Sequence, residues 1–437
     1  MAEPTIRKVF MIKYKFLIMK KPIFFTFYLL GYLFLLSSCS KEFDYTETKS
    51  LNLNQNFYVS IDEAQSQLNS IISAMKDEPQ TRALRENDEL TIASRYTYSY
   101  STTRSDENEG TNLHVFNFSD NNGYAIMSAD KRVTPLLALT SKGHLDIENI
   151  DNTGLKIYVE RLEDYILNEI GEPVDTISDV IPYYWELSDP VLSYTTMKYG
   201  YCQVQWGQDA PYNAYCPDLR LVGCVPLAVG QLLSIYKYPQ TYNGYSYNWT
   251  NMNKYHNINH PYAPALPQIC NILRELGKPS LLNANYGTNG TSAYASDIPQ
   301  TLVNLGFANG GTYSNYNGST VLQELQKGYP LIASGARLEN GEYIGHAFLI
   351  HGLLKTTTRR TDYDEYGNII NVFDRIRWYV LCNWGWGGTD DGFYLNGVFD
   401  ISSGPQYNWS PTNDSNYIDY ANRNYKYNVK MVTGIRK

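Results

Sequence analysis

Residues 223–239 read GCVPLAVGQLLSIYKYP, in which a glycine and a cysteine precede an amphipathic run that stops at a proline. Apolar residues recur at the 3.6-residue spacing of a buried helix face, which predicts a helix from Val225 to Tyr236 that Tyr238-Pro239 ends. A cysteine in the first turn of a helix lies in the positive field of unpaired N–H groups, so we expect a lowered thiol pKa. The pattern favours Cys224 as a nucleophile, although a lone cysteine at a helix start is more often a buried structural residue.

Two strand-like segments downstream carry the groups that a thiol nucleophile needs. Residues 345–352 read GHAFLIHG and place His346 on an apolar strand. Residues 377–388 read RWYVLCNWGWGG and place Asn383 and Trp384 at a glycine-rich turn. An imidazole can take the thiol proton and later protonate the leaving amine, while a third group fixes its tautomer. We therefore predict His346 as the general acid/base, with the amide of Asn383 available as the third group and Trp384 able to shield that hydrogen bond.

A further segment, residues 206–213, reads WGQDAPYN and supplies a side-chain amide. Gln208 can join the backbone N–H of Cys224 as an oxyanion hole. The four motifs WGQxxPYN, GCVxxAxxQ, GHAFxIxG and NWGWGG, in this order, resemble the streptopain-like cysteine peptidases, over roughly residue 110 to the C-terminus. The resemblance implies Cys224 as nucleophile, His346 as general acid/base, Gln208 as oxyanion donor, and Asn383 and Trp384 as the residues that orient and shield the histidine.

The same resemblance implies the fold class. It predicts an α+β fold: a papain-like two-lobed peptidase domain, with a helical half and an antiparallel β half, preceded by an α+β prodomain. The helical half would form around Cys224 and residues 266–276, the β half around His346 and Asn383, and substrate would occupy the cleft between them. The resemblance also points to three substrate-binding candidates, Gly345, Tyr286 and Ser292.

Three residues depart from the usual pattern of that family. Pro226 and Leu227 replace small residues after the nucleophile; proline is tolerated in a first helical turn, and we expect the bulkier leucine to reshape the cleft floor. His351 stands where an acid is usual. An odd separation on a strand puts 346 and 351 on opposite faces, so we expect His351 to lie outside the active site, either buried in the core or behind the active-site residues.

The N-terminus predicts export. Lys20-Lys21 precede an apolar run from Ile23 to Leu36, the size of a signal-peptide core, and the run ends in Leu-Ser-Ser-Cys39. This tetrad resembles a bacterial lipobox, so residues 1–39 are predicted as a lipoprotein signal peptide with lipidation at Cys39, and Met19 begins a more conventional signal. A plain cleaved signal stays open. We expect an outer-membrane lipoprotein, periplasmic or at the cell surface, from which the mature peptidase can be released.

The rest of the chain divides into a tether at 40–56, an inhibitory and folding prodomain at 57–190 and the peptidase domain at 191–437. The resemblance implies that the prodomain occludes or distorts the cleft, and the maturation site is placed near Trp185 to Lys198. Local patterns predict a helix at 61–75, a mobile low-complexity insertion at 77–110 and a helix at 155–170. Residues 113–139 are predicted as a hairpin with its turn at 120–123 that leads into another strand, and residues 355–368 as a polar hairpin tip.

Composition excludes some classes of protein. A net charge of −8 argues against nucleic acid as the partner, and the spacing of the histidines and cysteines argues against a structural zinc site, so no metal and no cofactor is predicted. The 40 tyrosines assign no function. Export permits disulfides, but the sequence leaves the pairing open among four cysteines: Cys202, Cys216, Cys270 and Cys382.

These patterns favour a secreted zymogen cysteine endopeptidase that acts through a Cys224 thioester. Its expected partners are protein or peptide substrates, its own prodomain as an intramolecular inhibitor, and the membrane through the lipid anchor. One alternative is a catalytically inactive papain-like surface protein that only binds peptide or glycan. Another is a Cys-His acyltransferase, which predicts an aspartate where Asn383 stands. The natural substrate stays open.

Overall fold

The computed structural model describes residues 57–76, 90–100, 112–171, 184–288, 290–339, 342–400 and 428–437. All of them lie in one compact unit that spans Gln55–Lys437. The predicted signal peptide, Cys39 and the predicted tether lie outside the described residues. Within the described part, no helix has the length and apolar character needed to cross a membrane.

The described elements alternate between helices and antiparallel strands, as the α+β prediction requires. The helices are α1 Ile61–Lys76, α2 Thr153–Gly171, α3 Cys224–Tyr236, α4 Trp249–Met252, α5 Leu266–Leu276, α6 Ile298–Asn304 and α7 Gly318–Gln326. The strands are β1 Ile92–Ser99, β2 Asn112–Phe118, β3 Tyr124–Ser128, β4 Leu136–Thr140, β5 Tyr184–Leu187, β6 Val191–Tyr194, β7 Thr241–Tyr242, β8 Tyr245–Ser246, β9 Asn285–Tyr286, β10 Thr291–Ser292, β11 Asn309–Asn315, β12 Leu331–Glu339, β13 Glu342–Tyr363, β14 Ile369–Asn383, β15 Gly392–Leu395 and β16 Lys430–Arg436.

One large antiparallel sheet joins the prodomain strands to the β half of the peptidase. Its order is β1-β2-β3-β4-β15-β14-β13-β12-β16-β11, with β5 and β6 paired to β13. The junction is the pairing of β4 with β15, where Leu139 lies opposite Phe393 and Thr140 opposite Gly392. A side chain at position 392 would overlap the backbone of Leu139, so glycine permits this close approach. The predicted α+β prodomain is therefore present, and it shares a sheet with the domain that follows it.

Residues 347–350 of β13 are apolar on both faces of the strand because each face packs against a different core. Ala347 and Leu349 belong to the core of the helical half, whereas Phe348 and Ile350 belong to the core shared with the prodomain. Side chains alternate between the faces of a strand, so four consecutive residues fill both cores. Burying a side chain of the size of Leu, Ile or Phe stabilises a fold by roughly 1.5–3 kcal/mol. The strand is fixed from both sides just beyond His346.

Helix α3 forms as its sequence pattern predicts and begins one residue earlier, at Cys224. Gly223 precedes it with φ 91°, a left-handed backbone that glycine adopts readily. Every residue from Val225 to Tyr236 is buried, so this helix is the centre of the helical half. Pro226 occupies the first turn, as expected, and the helix ends where Lys237 adopts a left-handed conformation.

The prodomain contains the predicted elements, with one correction. The helices at 61–75 and 155–170 are confirmed as α1 and α2. The hairpin with its turn at 120–123 is confirmed as β2 and β3, and the strand that follows it as β4. The predicted mobile insertion at 77–110 is wrong for Ile92–Ser99, which forms β1 and pairs with β2. Tyr96 and Tyr98 of β1 pack against the prodomain core, and these contacts hold the otherwise polar stretch in the sheet.

The predicted hairpin tip at 355–368 is wrong in its extent. Strand β13 continues to Tyr363, and β14 begins at Ile369. The turn between them is closed by the Asp364 carboxylate, which accepts the backbone N–H groups of Tyr366 and Asn368. Strands β5 and β6 pair along the same arm of β13, so the polar residues of the arm have strand neighbours on both sides.

His351 is buried away from solvent, as predicted. It lies at a bulge between Ile350 and Gly352, and its Nδ1 accepts the backbone N–H of Cys202 at 3.1 Å. Its ring meets the edge of Tyr201. Burial lowers the pKa of His351 to about 3, because the charged ring would lose its water.

We expect His351 to make the fold sensitive to acid. Because its pKa is lower in the folded protein than in the unfolded chain, the unfolded chain takes up the proton first once the pH falls below about 6.5. The stability present at neutral pH is then lost progressively, by about 2 kcal/mol at pH 5. Urea unfolding at pH 7.5 and pH 5, in a Cys224→Ala background, should show that His351→Asn loses about 2 kcal/mol less than its parent.

The exposed His260 supplies the matched control, since His260→Asn should leave the pH dependence of unfolding unchanged. Equal losses in the parent and in His351→Asn would contradict the assignment of the acid sensitivity to His351.

Candidate active site

Cys224 begins α3 beside the β9–β10 hairpin of the helical half, and its side chain is half-buried. A Cβ at Gly223 would come within 2.9 Å of the methyl group of Thr291 on β10. On the other side, the carbonyl oxygen of Gln208 accepts the N–H of Val222 at 2.8 Å. The segment before the cysteine is therefore held between the Gln208 loop and β10, which brings Gln208 into the neighbourhood of Cys224.

His346 lies on β13, and its neighbour Ala347 reaches the nucleophile. The backbone of Ala347 lies close enough to the Cys224 thiol to act on its pKa, which it lowers. The His346 ring is buried, and its Nε2 lies 2.7 Å from the carbonyl oxygen of Trp384. A carbonyl oxygen only accepts, so we infer that Nε2 carries the ring proton and that Nδ1 is left as the base. The Trp384 ring, with its centroid 6.2 Å from that of His346, covers this bond.

The expectation that the start of α3 lowers the Cys224 pKa is wrong for this state of the molecule. Burial raises the pKa of the thiol and outweighs the backbone hydrogen bonds from Ala347, Val225 and Cys224 itself, which act in the opposite direction. Burial also lowers the pKa of His346 to about 4, against the opposing effect of its bond to Trp384. Both shifts favour the uncharged forms, so the pair rests as a neutral thiol and a neutral imidazole.

Asn383 and Trp384 have different places in this geometry. The backbone carbonyl of Trp384 contacts His346, whereas the Asn383 side chain donates to the Val204 carbonyl at 2.8 Å and accepts the Gly385 N–H at 3.0 Å. Both ends of the Asn383 amide are thus used to hold the glycine-rich turn in place. The sequence could not separate these two residues because the contact to histidine comes from a backbone atom.

Leu227 lies beneath the same turn. It is buried, and its methyl group lies 2.8 Å from where a Cβ at Gly385 would stand. Gly385 has φ 77°, a left-handed conformation that glycine adopts readily, and Leu227 leaves no space for a side chain there. The leucine therefore packs under the turn that carries Trp384.

Sequence reasoning missed two adjacent acids directly after this turn. Asp390 and Asp391 are each 7% exposed. The Asp391 carboxylate accepts the Trp384 N–H at 2.8 Å, while Asp390 accepts the Tyr124 hydroxyl at 3.2 Å and the Asn152 amide at 3.1 Å. Two acids in tandem behind NWGWGG were the available signal, but only the fold shows that they are buried.

The prodomain reaches this site through the first turn of α2. A side chain at Gly154 would overlap the ring of Trp384 and come within 2.8 Å of Cδ2 of His346. The Lys142 ammonium group donates to the carbonyl oxygen of Gly387 at 2.8 Å. The prodomain therefore covers both the histidine and the turn whose carbonyl holds it.

The substrate-binding candidates fall in different places. Gly345 is exposed and directly precedes His346 on β13. Ser292 is exposed on β10, whereas its neighbour Thr291 is the residue that contacts Gly223. The Tyr286 hydroxyl packs against Gly277 at the end of α5. The structure thus brings β10 to the nucleophile, with Thr291 as a residue that the sequence did not single out, and the binding roles stay predictions.

Comparison with known families and proteins gives consistent matches. Residues 206–394 match the Peptidase C10 family, and residues 45–166 match the Spi protease inhibitor family. Streptopain of Streptococcus pyogenes serotype M1 is 24% identical over 338 residues, which cover 66% of this chain and 74% of streptopain. The thiol protease/hemagglutinin PrtT of Porphyromonas gingivalis is 26% identical over 328 residues, 66% of this chain and 34% of PrtT.

Among solved structures, a fragment of Prevotella intermedia prointerpain A is similar, with a TM-score of 0.48 and 21% sequence identity. The match covers 79% of this chain and 99% of the fragment.

Proposed function

Because the chain belongs, through residues 206–394, to the Peptidase C10 family of streptopain-like cysteine peptidases, we propose that it is made as a zymogen and cleaves peptide bonds through a thioester on Cys224. Membership makes it a cysteine-type endopeptidase, with protein or peptide substrates and an intramolecular prodomain. The observation that carries the proposal is the meeting of α3 and β13, where Cys224 and Ala347, the residue after His346, both pack in the core of the helical half.

The reaction follows from the assigned atoms. Nδ1 of His346 takes the proton of the Cys224 thiol, and the thiolate attacks the substrate carbonyl carbon. The resulting oxyanion accepts from the Cys224 N–H and from the Gln208 side-chain amide. His346 then returns the proton to the leaving amine as the C–N bond breaks, and water, deprotonated by the same ring, hydrolyses the thioester. Throughout, the Trp384 carbonyl keeps the proton on Nε2.

Latency has a physical basis in the contacts of the prodomain. Gly154 packs on the rings of His346 and Trp384, and Lys142 bonds the turn that follows. Burial then keeps the thiol protonated and the imidazole neutral, so nucleophile activation is disfavoured while the prodomain stays in place. Removal of the prodomain opens Cys224 and His346 to water and substrate.

We place the boundary between prodomain and peptidase at residue 190. Strands β5 and β6 both pair with β13, and Ser188 and Asp189 are exposed in the connection between them. An exposed connection of this kind is open to proteolysis. We further propose export as a lipoprotein anchored at Cys39 to the outer membrane, with cleavage at this connection releasing the peptidase.

We expect the Cys224→Ala protein to lose self-processing completely. The full-length wild type should shed its prodomain near residue 190 and take up a thiol-directed epoxide at Cys224, because the alanine variant alone lacks the nucleophile. Mass spectrometry of incubated wild type and variant measures both events. Cys202 is the control for labelling: burial raises the pKa of its thiol to about 12, so this cysteine should not take up the epoxide in either protein.

One outcome would replace the peptidase proposal with a peptide-binding function. Both proteins would stay intact, even after an added protease trims the prodomain, and Cys224 would remain unlabelled.

We also expect Gly154→Ala to weaken latency. In a helix, alanine in place of glycine is stabilising by about 1 kcal/mol, so helix propensity alone would tighten the prodomain. The contact with the fully buried Trp384 predicts the opposite, because the added methyl group has no space. A time course of self-processing should run several-fold faster than in the wild type. Ser66→Ala, on the exposed side of α1, changes helix propensity away from the site and should leave the rate unchanged.

Slower processing of Gly154→Ala than of the wild type would show that propensity dominates and that the contact with the rings does not maintain latency.

A further inference from the structure

Trp384 is held at both of its backbone polar atoms. Its carbonyl oxygen accepts from Nε2 of His346 at 2.7 Å, and its N–H donates to the carboxyl oxygen Oδ1 of Asp391 at 2.8 Å. These two bonds lie in series between the acid and the histidine. The direction of the carbonyl therefore depends on where Asp391 holds the other end of the same residue.

The place of Asp391 is built into the fold. Its backbone N–H donates to the Gly388 carbonyl, which closes the glycine-rich turn, and the next residue, Gly392, begins β15 opposite Cys382. Its side chain is 7% exposed, and burial raises the pKa of its carboxyl group to about 8. A carboxyl group is costly to bury, and this one meets a backbone N–H of a residue that is itself fully buried.

The neighbouring acid serves another partner. The Asp390 carboxylate accepts from the Tyr124 hydroxyl and from the Asn152 side-chain amide, both of which belong to the prodomain. The Asn152 side-chain oxygen also caps the first turn of α2, from which Gly154 reaches the site. Two consecutive carboxylates are thus divided between the catalytic turn and the prodomain.

We propose that Asp391 is a positioning residue for His346, acting through the backbone of Trp384, and that Asp390 is the anchor of the prodomain beside it. This inference rests on the proposed peptidase function. Without the Asp391 acceptor, the Trp384 N–H is buried without a partner, and the turn moves to find one. The Trp384 carbonyl then no longer holds Nε2, and a misplacement of about 1 Å at a catalytic group can lower the rate by about 10²-fold.

The experiment compares four full-length proteins after complete processing by an added protease: wild type, Asp391→Leu, Asp391→Asn and Asp390→Asn. Peptide hydrolysis gives kcat and KM, and the pH dependence of Cys224 alkylation by iodoacetamide reports on His346. Asp391→Leu, similar in size but without an acceptor, should lower kcat about 30- to 100-fold and leave KM within about 2-fold. The alkylation rate of this variant should lose its His346-dependent limb.

The conservative variant tests whether the hydrogen-bond acceptor is what matters at position 391. Asp391→Asn keeps an oxygen that can accept the Trp384 N–H, so it should recover most of kcat. Asp390→Asn should keep kcat within about 2-fold but speed self-processing, because its amide cannot accept both prodomain donors. Wild-type kcat in Asp391→Leu, or an equal loss in Asp391→Asn and Asp391→Leu, would overturn the proposal.

Two checks keep the test decisive. If Asp391→Leu does not fold, the ¹⁵N chemical shifts of His346 in the processed wild type decide: a proton on Nε2 supports the proposal, and a proton on Nδ1 overturns it. If the processed wild type neither hydrolyses peptide nor alkylates at Cys224, the proposed function itself fails, and that result is distinct from an active wild type that tolerates Asp391→Leu.

Discussion

Burial of β13 on both faces is the constraint on which the rest of the structure depends. Ala347 and Leu349 fill the helical half, while Phe348 and Ile350 fill the core that the prodomain completes. Neither core can shift without disturbing the other, because packed interiors have little free volume. His346, immediately before this segment, is therefore held against α3 on one side and against the first turn of α2 on the other.

The same burial determines the charge state of the reactive pair. A helix start and three backbone hydrogen bonds favour the thiolate of Cys224, yet burial wins and raises its pKa. Burial lowers the pKa of His346 for the same reason, because the charged form of histidine is the protonated one. In the proposed zymogen, the prodomain covers His346 and Trp384 through Gly154, which adds to the burial that disfavours the ion pair.

Local sequence patterns predicted much of the fold and many residues of the candidate site. The spacing of apolar residues after Cys224 predicted α3 almost to the residue, and the turn residues at 120–123 predicted the β2–β3 hairpin. The four motifs named Cys224, His346 and Gln208 because their chemistry depends on residue type. The prediction that His351 is buried is confirmed, and it followed from strand periodicity, which places His351 on the face opposite to His346.

The features that sequence patterns could not predict depend on contacts between distant segments of the chain. The pairing of β4 with β15 joins residues about 250 positions apart, a separation at which sequence periodicity carries no information. The bond of His346 to Trp384 uses a backbone carbonyl, which any residue possesses. Gly154 was missed because a glycine in a helix carries no chemical signal, and Asp391 because only packing reveals that its carboxylate is buried. Cys224 itself shows the limit of a local rule, since burial of its side chain outweighs the field of the helix start.

The central claim of the proposed function is that the prodomain disfavours activation of Cys224 by covering His346, the base that would take its proton. The most direct test is to alkylate partly processed wild-type protein with iodoacetamide at pH 6.5 and to resolve unprocessed and processed chains from the same sample by intact-mass spectrometry. The claim predicts that Cys224 of processed chains reacts at least about 10-fold faster, which corresponds to a difference of about 1.4 kcal/mol. Equal rates of alkylation in the two chains would contradict it.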